Sequence, residues 1–292
     1  MQLYTPTEFP GYELIDSGNK LKLERFSRYI FVRPETKALW KPTLKPEVWN
    51  DVHAVYKQST SGRGGWVIKK KLPEDWTMEW QNLHFILKPT GFKHIGIFPE
   101  QATLWQWTAD ILKKVQRPIK VLNLFGYTGA STLVCAAHGA SVVHLDASKD
   151  AVTWARINAQ ASGLKEKPIR WIHDDALAFV RREIRRGNTY DAVIMDPPKF
   201  GRGAQGEIWK IEDNLSLILN LTQQILSPNP LFFIITAYTV EYSSEILRNT
   251  LAQVLQKYEG TIENGELGLQ QRSNNFILPL SVFTRWQSKQ LE

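Results

Sequence analysis

The chain has 292 residues, 43% of them apolar and 22% charged, with one cysteine and a net charge of +7. That length suits a main domain plus a smaller one, and the composition is that of an ordinary globular protein. A lone cysteine excludes an internal disulfide and any multi-cysteine zinc site. No apolar run approaches the roughly 20 residues needed to cross a bilayer, so no membrane partner is expected. Met1-Gln-Leu-Tyr-Thr-Pro6 lacks the basic and apolar regions of a signal peptide, which leads to the expectation of a cytoplasmic protein. The positive charge is compatible with a polyanionic partner and equally with a solubilising surface. Residues 1–100 carry 15 Lys/Arg against 11 Asp/Glu and the remainder 21 against 18, so the excess is spread along the chain.

From Gly11 to Leu87 the pattern is β-rich with a helix in the middle. Tyr12–Ile15, Lys20–Phe26 and Tyr29–Arg33 read as short strands, and Gly65–Lys69 and Leu83–Leu87 resume that character. Between them, Pro46–Tyr56 has helical spacing, with Val48, Val52 and Val55 on one side. Seven of the eleven tryptophans fall in the first 107 residues; core and interdomain packing is the ordinary use for them, and base stacking the functional one. The segment 59–65 reads as a flexible basic loop able to touch a phosphate. Phe98-Pro-Glu-Gln101 resembles a helix start followed by a helix over 102–115, and puts Gln101 at the edge of an expected ligand pocket. The alternative is plain capping.

From Pro118 onward strand and helix alternate. Strands are expected near 119–125, 141–146, 168–173, 190–195 and 231–238, and helices near 130–139, 149–162, 175–187 and 211–227. That alternation implies a doubly wound parallel α/β sheet. Gly265–Arg272 and Phe276–Trp286 read as two further strands closing the sheet as a hairpin. The expected domains are a small N-terminal α+β domain over 1–95, suited to substrate recognition, and a Rossmann-like α/β domain over 96–292.

The segment Val121–Gly129, continuing into Ala130–Ala137, organises this domain. It reads as a buried strand, a tight turn with Gly126 and Gly129, and a helix whose free N–H groups face a ligand. Dinucleotide enzymes want Gly-x-Gly-x-x-Gly at this place. Here the turn is Gly-x-x-Gly, and Phe125 and Tyr127 crowd the approach of a pyrophosphate, so a cofactor without phosphates fits better. Further polar groups fall at successive strand ends, where ligands bind in open α/β folds. Asp146, followed by Ala147 and Ser148, lies twenty residues on and can accept both hydroxyls of a ribose. Asp174 and Asp175, before Ala176, can accept from an adenine amino group. Asp196 opens Asp-Pro-Pro-Lys-Phe200. Each of these could instead be a cap; the glycine turn and the three carboxylate positions, in register at four strand ends, argue for a ligand.

These motifs resemble the class I S-adenosylmethionine-dependent methyltransferases. They are closest in pattern to the bacterial 23S ribosomal-RNA group with Asn-Leu-Phe-x-Tyr-Thr-Gly and Asp-Pro-Pro-Lys-Phe. The resemblance spans about 100–240, more loosely the N-terminal domain and Phe98–Gln101, and leads to the expectation that the group's additional RNA-binding module is missing. It implies S-adenosyl-L-methionine as cofactor, its methionine part on Phe125, Gly126, Tyr127, Thr128 and Gly129, its ribose on Asp146 and its adenine on Asp175 with Asp174. Asp196, Pro197, Lys199 and Phe200 would line the substrate pocket. Ribosomal RNA is the implied partner; a small molecule or protein substrate, or a catalytically silent RNA-binding protein of this fold, are the alternatives.

Carbon-5 methylation of a pyrimidine normally needs a thiolate. The stretch Phe233–Thr239 has no Cys, and Cys135 sits in an apolar helix, so direct attack on the sulfonium methyl without a Cys nucleophile is expected. Asp196 would accept a proton or hydrogen bond from the nucleophile. Thr236, Tyr238 and Thr239 could flank the pocket or simply end a strand. The loop 201–206 reads as a mobile lid, with Trp209 beyond it able to close on a base. Arg181–Arg186 reads first as a solvated helix face and second as a phosphate-contacting stripe. The six histidines show no metal spacing and are taken as structural. The sequence leaves the oligomeric state open.

Overall fold

The computed structural model describes residues 2–58, 64–238 and 241–291. The chain divides into two compact units: a sheet unit (Met1–Leu3, Leu104–Glu266, Ser281–Glu292) and a β-rich unit (Tyr4–Thr103, Leu267–Leu280). The division falls at 103/104, eight residues beyond the expected 95/96, and returns a C-terminal segment to the N-terminal unit.

The β-rich unit holds β2 (Tyr12–Gly18), β3 (Leu21–Phe26), β4 (Tyr29–Pro34), α1 (Pro46–Asn50), β5 (Ala54–Gln58), β6 (Gly64–Ile68), β7 (Trp76–Trp80) and β8 (Leu83–Leu87), preceded by the short β1 (Leu3–Tyr4). Strands β2 to β6 form one sheet in chain order, and β7 pairs with β8. The helix expected over 46–56 stops at Asn50, where the Asp51 N–H closes the last turn on the Glu47 carbonyl at 3.1 Å. Val48 is exposed, whereas Val52 is fully buried with Leu23 and Val32, and Val55 belongs to β5. Parallel pairing of β5 with β4 and antiparallel pairing with β6 overrides the helical spacing of the three valines. β7, absent from the sequence reading, alternates cleanly, with Trp76, Met78 and Trp80 buried and Thr77 and Glu79 exposed.

A buried carboxylate ties this unit's distant segments together. Asp16, fully buried, accepts from the N–H groups of Ser17 (3.0 Å), Thr43 (3.3 Å) and Leu44 (2.8 Å) and from the indole of Trp49 (3.0 Å). Gln271 Nε2 (2.7 Å) and Ser273 Oγ (2.8 Å) donate to it from the far end of the chain. The tryptophans here serve structure: Trp40 and Trp66 donate to backbone carbonyls, and Trp76 and Trp80 are buried. The expected basic loop lies, over 59–63, outside the described residues.

After α2 (Ala102–Lys114), the sheet unit continues with β9 (Lys120–Leu124), α3 (Ala130–Ala137), β10 (Ser141–Asp146), α4 (Lys149–Ala161), β11 (Ile169–His173), α5 (Ala176–Arg185) and β12 (Ala192–Met195). There follow β13 (Phe200–Arg202), β14 (Ile208–Lys210), α6 (Ile211–Gln223), β15 (Phe232–Tyr238), α7 (Ser244–Leu255), β16 (Gly260–Gln270) and β17 (Ile277–Ser288). The sheet order is β1-β16-β17-β15-β12-β9-β10-β11. Strands β11, β10, β9, β12 and β15 are parallel, and β17 runs antiparallel to β15. The expected doubly wound α/β sheet is therefore present, extended by the two C-terminal strands. Helices α5, α6 and α7 share a core with Leu122, Leu124, Val193, Met195, Phe233 and Ile235. The alternate residues Val121 and Val142 are buried as well, with α3 and α4 packed on β9 to β11, so both faces are covered. Among the described residues no helix is long and apolar enough to cross a membrane.

Candidate active site

The chain leaves β9 towards β10 on one side and, after β11, crosses to place β12 on the other side of β9. The reversal makes the carboxyl ends of β9 and β12 a topological switch point, where open α/β sheets bind ligands. Register fixes which residues meet there. Leu124 lies beside Leu145 and Met195, and Asp146 beside His173, so Phe125, Asp146, Asp174 and Asp196 all leave the sheet at one rim.

The turn after β9 is wound differently from the simple glycine turn that the sequence suggests. The left-handed conformation falls on Phe125 (φ 57°) and Tyr127 (φ 48°) as well as on Gly129 (φ 90°), whereas Gly126 does not adopt it. Non-glycine residues held there cost free energy, and such strain gathers at ligand clamps. Gly126 is required for space: a Cβ at that position would lie 2.5 Å from the His144 ring. Beneath the turn a buried polar chain runs from Asn123 Nδ2 to Thr132 Oγ1 (2.8 Å), and from there to His144 Nδ1 (2.9 Å). Burial pushes the His144 imidazole down to about 3, so it is neutral. Asn158 Nδ2 secures the turn from the other side by donating to the Thr128 carbonyl at 2.9 Å.

Asp146 is fastened to the same turn. Its Oδ2 accepts the Tyr127 N–H at 2.8 Å and its Oδ1 the Ser148 N–H at 2.8 Å. Burial nevertheless raises its pKa above the usual carboxylate value, the two N–H groups opposing that rise. The Ala147 carbonyl faces His173 Nε2 at 3.0 Å, and the Ser148 hydroxyl caps α4 by accepting from Ala151 N.

The Asp174–Asp175 pair is more committed to structure. Asp174 accepts from the Asp175 N–H (2.8 Å) and pairs with Arg182. Asp175 caps α5 through the Ala178 N–H (2.8 Å), and Ala176 is buried in the core. Of the arginine-rich helix, Arg182 is spent on Asp174 and Arg186 on Glu183 (3.0 Å), while Arg181 and Arg185 are exposed.

Asp196 ends β12. Burial of its carboxyl pushes the pKa up to about 6, with a hydrogen bond from the Thr236 side chain pulling the other way. Pro197 is buried, while Lys199 is exposed and pairs with Glu241 at 3.2 Å. Phe200 is 57% exposed. The lid expected over 201–206 is instead the turn of a hairpin, with Phe200 opposite Lys210, Gly201 opposite Trp209 and Arg202 opposite Ile208. Trp209 is not poised to close on a base: it is 4% exposed, donates its indole N–H to the Pro198 carbonyl at 2.7 Å, and packs on Phe125 with ring centroids 4.8 Å apart. That link between the two motifs was not read from the sequence. Its only signal there was an aromatic residue spaced after a glycine-rich loop.

Thr236 is buried in β15 and Tyr238 ends it, while Thr239 lies outside the described residues. Gln101 closes a short 3₁₀ turn (Pro99–Gln101) in the β-rich unit. Cys135 is fully buried in α3, and burial pushes its thiol up to about 12.

A wound sheet with a strained turn and three carboxylates at its switch point has the make-up of a nucleotide-type cofactor fold. A family profile for the S-adenosylmethionine-dependent methyltransferases matches residues 53–240, and the chain belongs to that family. It is an enzyme of methyl transfer with S-adenosylmethionine as donor. A solved S-adenosylmethionine-dependent methyltransferase from Agrobacterium tumefaciens is 41% identical, with a TM-score of 0.95 over 99% of this chain and 94% of its own. Ribosomal RNA large subunit methyltransferase I of Photobacterium profundum is 29% identical over 180 residues, 61% of this chain and 44% of that protein. Ribosomal RNA large subunit methyltransferase K/L of Shewanella sp. (strain MR-4) is 28% identical over 148 residues, 50% of this chain and 20% of its own. The chain thus spans less than half the length of these curated relatives.

Proposed function

We propose that this enzyme methylates a base of ribosomal RNA by direct transfer, without a cysteine nucleophile. The observation that carries the reading is the placement of Asp146 and Asp196 at one rim, on either side of a turn braced by the Phe125–Trp209–Pro198 contact. The names of the large-subunit ribosomal RNA relatives and the +7 net charge support an RNA substrate.

The turn fits the cofactor. Each Asp146 oxygen takes one backbone N–H and keeps a lone pair to accept a ribose hydroxyl. Phe125 to Gly129 would hold the methionine part, with Ala147 and Ser148 beside the ribose. Asp174, Asp175 and Ala176 would border the adenine. The β-rich unit, which holds Gln101, would serve substrate recognition. When bound, S-adenosylmethionine supplies an electrophilic sulfonium methyl.

The chain's own residues do the rest. Positioning dominates such a transfer, since bringing the reacting atoms to about 3–3.5 Å replaces a bimolecular encounter. Pro197 and Pro198, locked by Trp209, fix the approach of the base, and Lys199 and Phe200 border it. The Asp196 carboxylate accepts a proton or hydrogen bond from the attacking group, and its pKa of about 6 leaves it ionised yet basic near neutrality. The Cys135 thiol, buried and held at about 12, supports a route without a covalent adduct. Such a substrate would place the enzyme in the cytoplasm.

Mass mapping of ribosomal RNA from a strain lacking the protein tests this, the parent strain serving as reference. One base methylation missing in the deletion strain, and restored by the purified enzyme, is expected. Identical maps from the two strains would refute the assignment and favour a small-molecule or protein substrate.

A further inference from the structure

The β13–β14 hairpin carries a face of which the catalytic reading uses only Phe200. Residues directly opposite on antiparallel strands project to the same side. Register therefore puts Phe200 with Lys210, and Arg202 with Ile208, on one side, and Gly201 with Trp209 on the other. The second side is the inner one, since Trp209 is 4% exposed and packs in the core with Ile211 and Leu215. The first side is turned out, with Phe200 57% and Ile208 62% exposed and both cations exposed as well. Among the described residues no hydrogen bond or ion pair engages the Arg202 guanidinium or the Lys210 ammonium. The nearest acid in sequence, Glu207, is occupied by the Gln205 N–H at 2.9 Å within the turn.

Two exposed apolar side chains interleaved with two uncommitted cations suit a particular guest. A stable protein interface buries about 800 Å² per partner around a sizeable apolar centre, far more than a three-residue ribbon offers. A single-stranded nucleic acid asks for less: an aromatic ring for a base and cations for the backbone on either side. The ribbon is also continuous with the proposed catalytic loop, since Phe200 follows Asp196 by four residues. The inner-face bond from Trp209 to Pro198 holds ribbon and loop as one piece.

We propose that the outward face of this hairpin is a rest for unpaired RNA, on which a base stacks against Phe200 while backbone phosphates meet Arg202 and Lys210. This rests on the RNA reading above and adds to it the form of substrate, a single strand rather than a duplex. A paired base presents no free face to Phe200, so the ribbon selects loops and opened segments.

The test is fluorescence anisotropy with a labelled 12-nucleotide mixed-sequence RNA and the matching 12-base-pair duplex, over a series of salt concentrations. The wild-type enzyme should prefer the single strand. Phe200→Leu should weaken single-strand binding about tenfold and leave the duplex little changed. Arg202→Gln with Lys210→Gln should lower the slope of log affinity against log salt by about 1.4, the value for two lost contacts on a single strand. All substituted side chains are exposed, and melting temperature with S-adenosylhomocysteine calorimetry shows that fold and cofactor site are kept. Wild-type binding with unchanged affinity and slope in both variants overturns the hairpin assignment alone. A wild-type enzyme that binds neither RNA form overturns the RNA reading beneath it as well.

Discussion

The indole N–H of Trp209 donates to the Pro198 carbonyl at 2.7 Å, while the same ring packs on Phe125. One buried side chain thus braces the loop after β12 against the turn after β9. The bond fixes an otherwise exposed stretch, for Pro198, Lys199 and Phe200 are all open to solvent. Trp209→Phe keeps most of the packing and removes the donor. It should cost about 1 kcal/mol of stability, read by urea unfolding. Methyl transfer should suffer more than cofactor binding: kcat falls while S-adenosylhomocysteine affinity holds.

Asp196→Asn should lower kcat on the order of 10²-fold or more with cofactor affinity retained, as measured by single-turnover transfer and calorimetry. The pH profile gives a second check. Burial raises this carboxyl to about 6, and the working form is the carboxylate, so kcat/KM should fall as pH drops through about 6. The stability linkage has the opposite sign. A folded pKa above the unfolded one makes this group's contribution greatest at low pH and loses it as pH rises through about 6. Asp196→Asn should remove that stability slope.

Gly126 and His144 compete for one volume, a Cβ on the first lying 2.5 Å from the ring of the second. Gly126→Ala should destabilise by about 1–3 kcal/mol through overpacking and weaken cofactor binding with it. In the His144→Ala background the added methyl has room, so the two changes should be less than additive by about 0.5–3 kcal/mol. A double-mutant cycle by denaturant unfolding reads this directly; strict additivity would separate the two residues.

Cys135→Ala should leave single-turnover methyl transfer within about threefold of wild type, since the buried thiol at about 12 gives no thiolate near neutrality. A folded variant without turnover would restore a covalent route.

Asp16→Ala removes the acceptor shared by six donors at a fully buried position. A loss of about 3 kcal/mol or more is expected in urea unfolding, larger than for most single substitutions.

How far the fold could be read ahead of the structure depended on how local its causes are. The strand Ser141–Asp146 and the helix Lys149–Ala161 follow from an apolar run and a Ser148 cap, and both stand where expected. The valines at 48, 52 and 55 misled because helical spacing there coincides with a turn between two elements, which only strand pairing resolves. The β13–β14 ribbon and α7 escaped notice: one is short and glycine-rich, and the other follows a polar linker. At the rim, strand-end carboxylates were legible because each follows an apolar run. Their partners were not: Arg182 on Asp174, Trp209 on Pro198 and His144 beneath Gly126 depend on how each turn folds back, which no residue pattern marks.

The bonds from Gln271 and Ser273 to Asp16 bear on how the protein is made. A ribosome delivers residue 16 well before residue 271, which lies 255 positions on, so the carboxylate waits for its final donors to arrive. The β-rich unit therefore takes its last segment, Leu267–Leu280, only after residues 104–266 of the sheet unit have been synthesised.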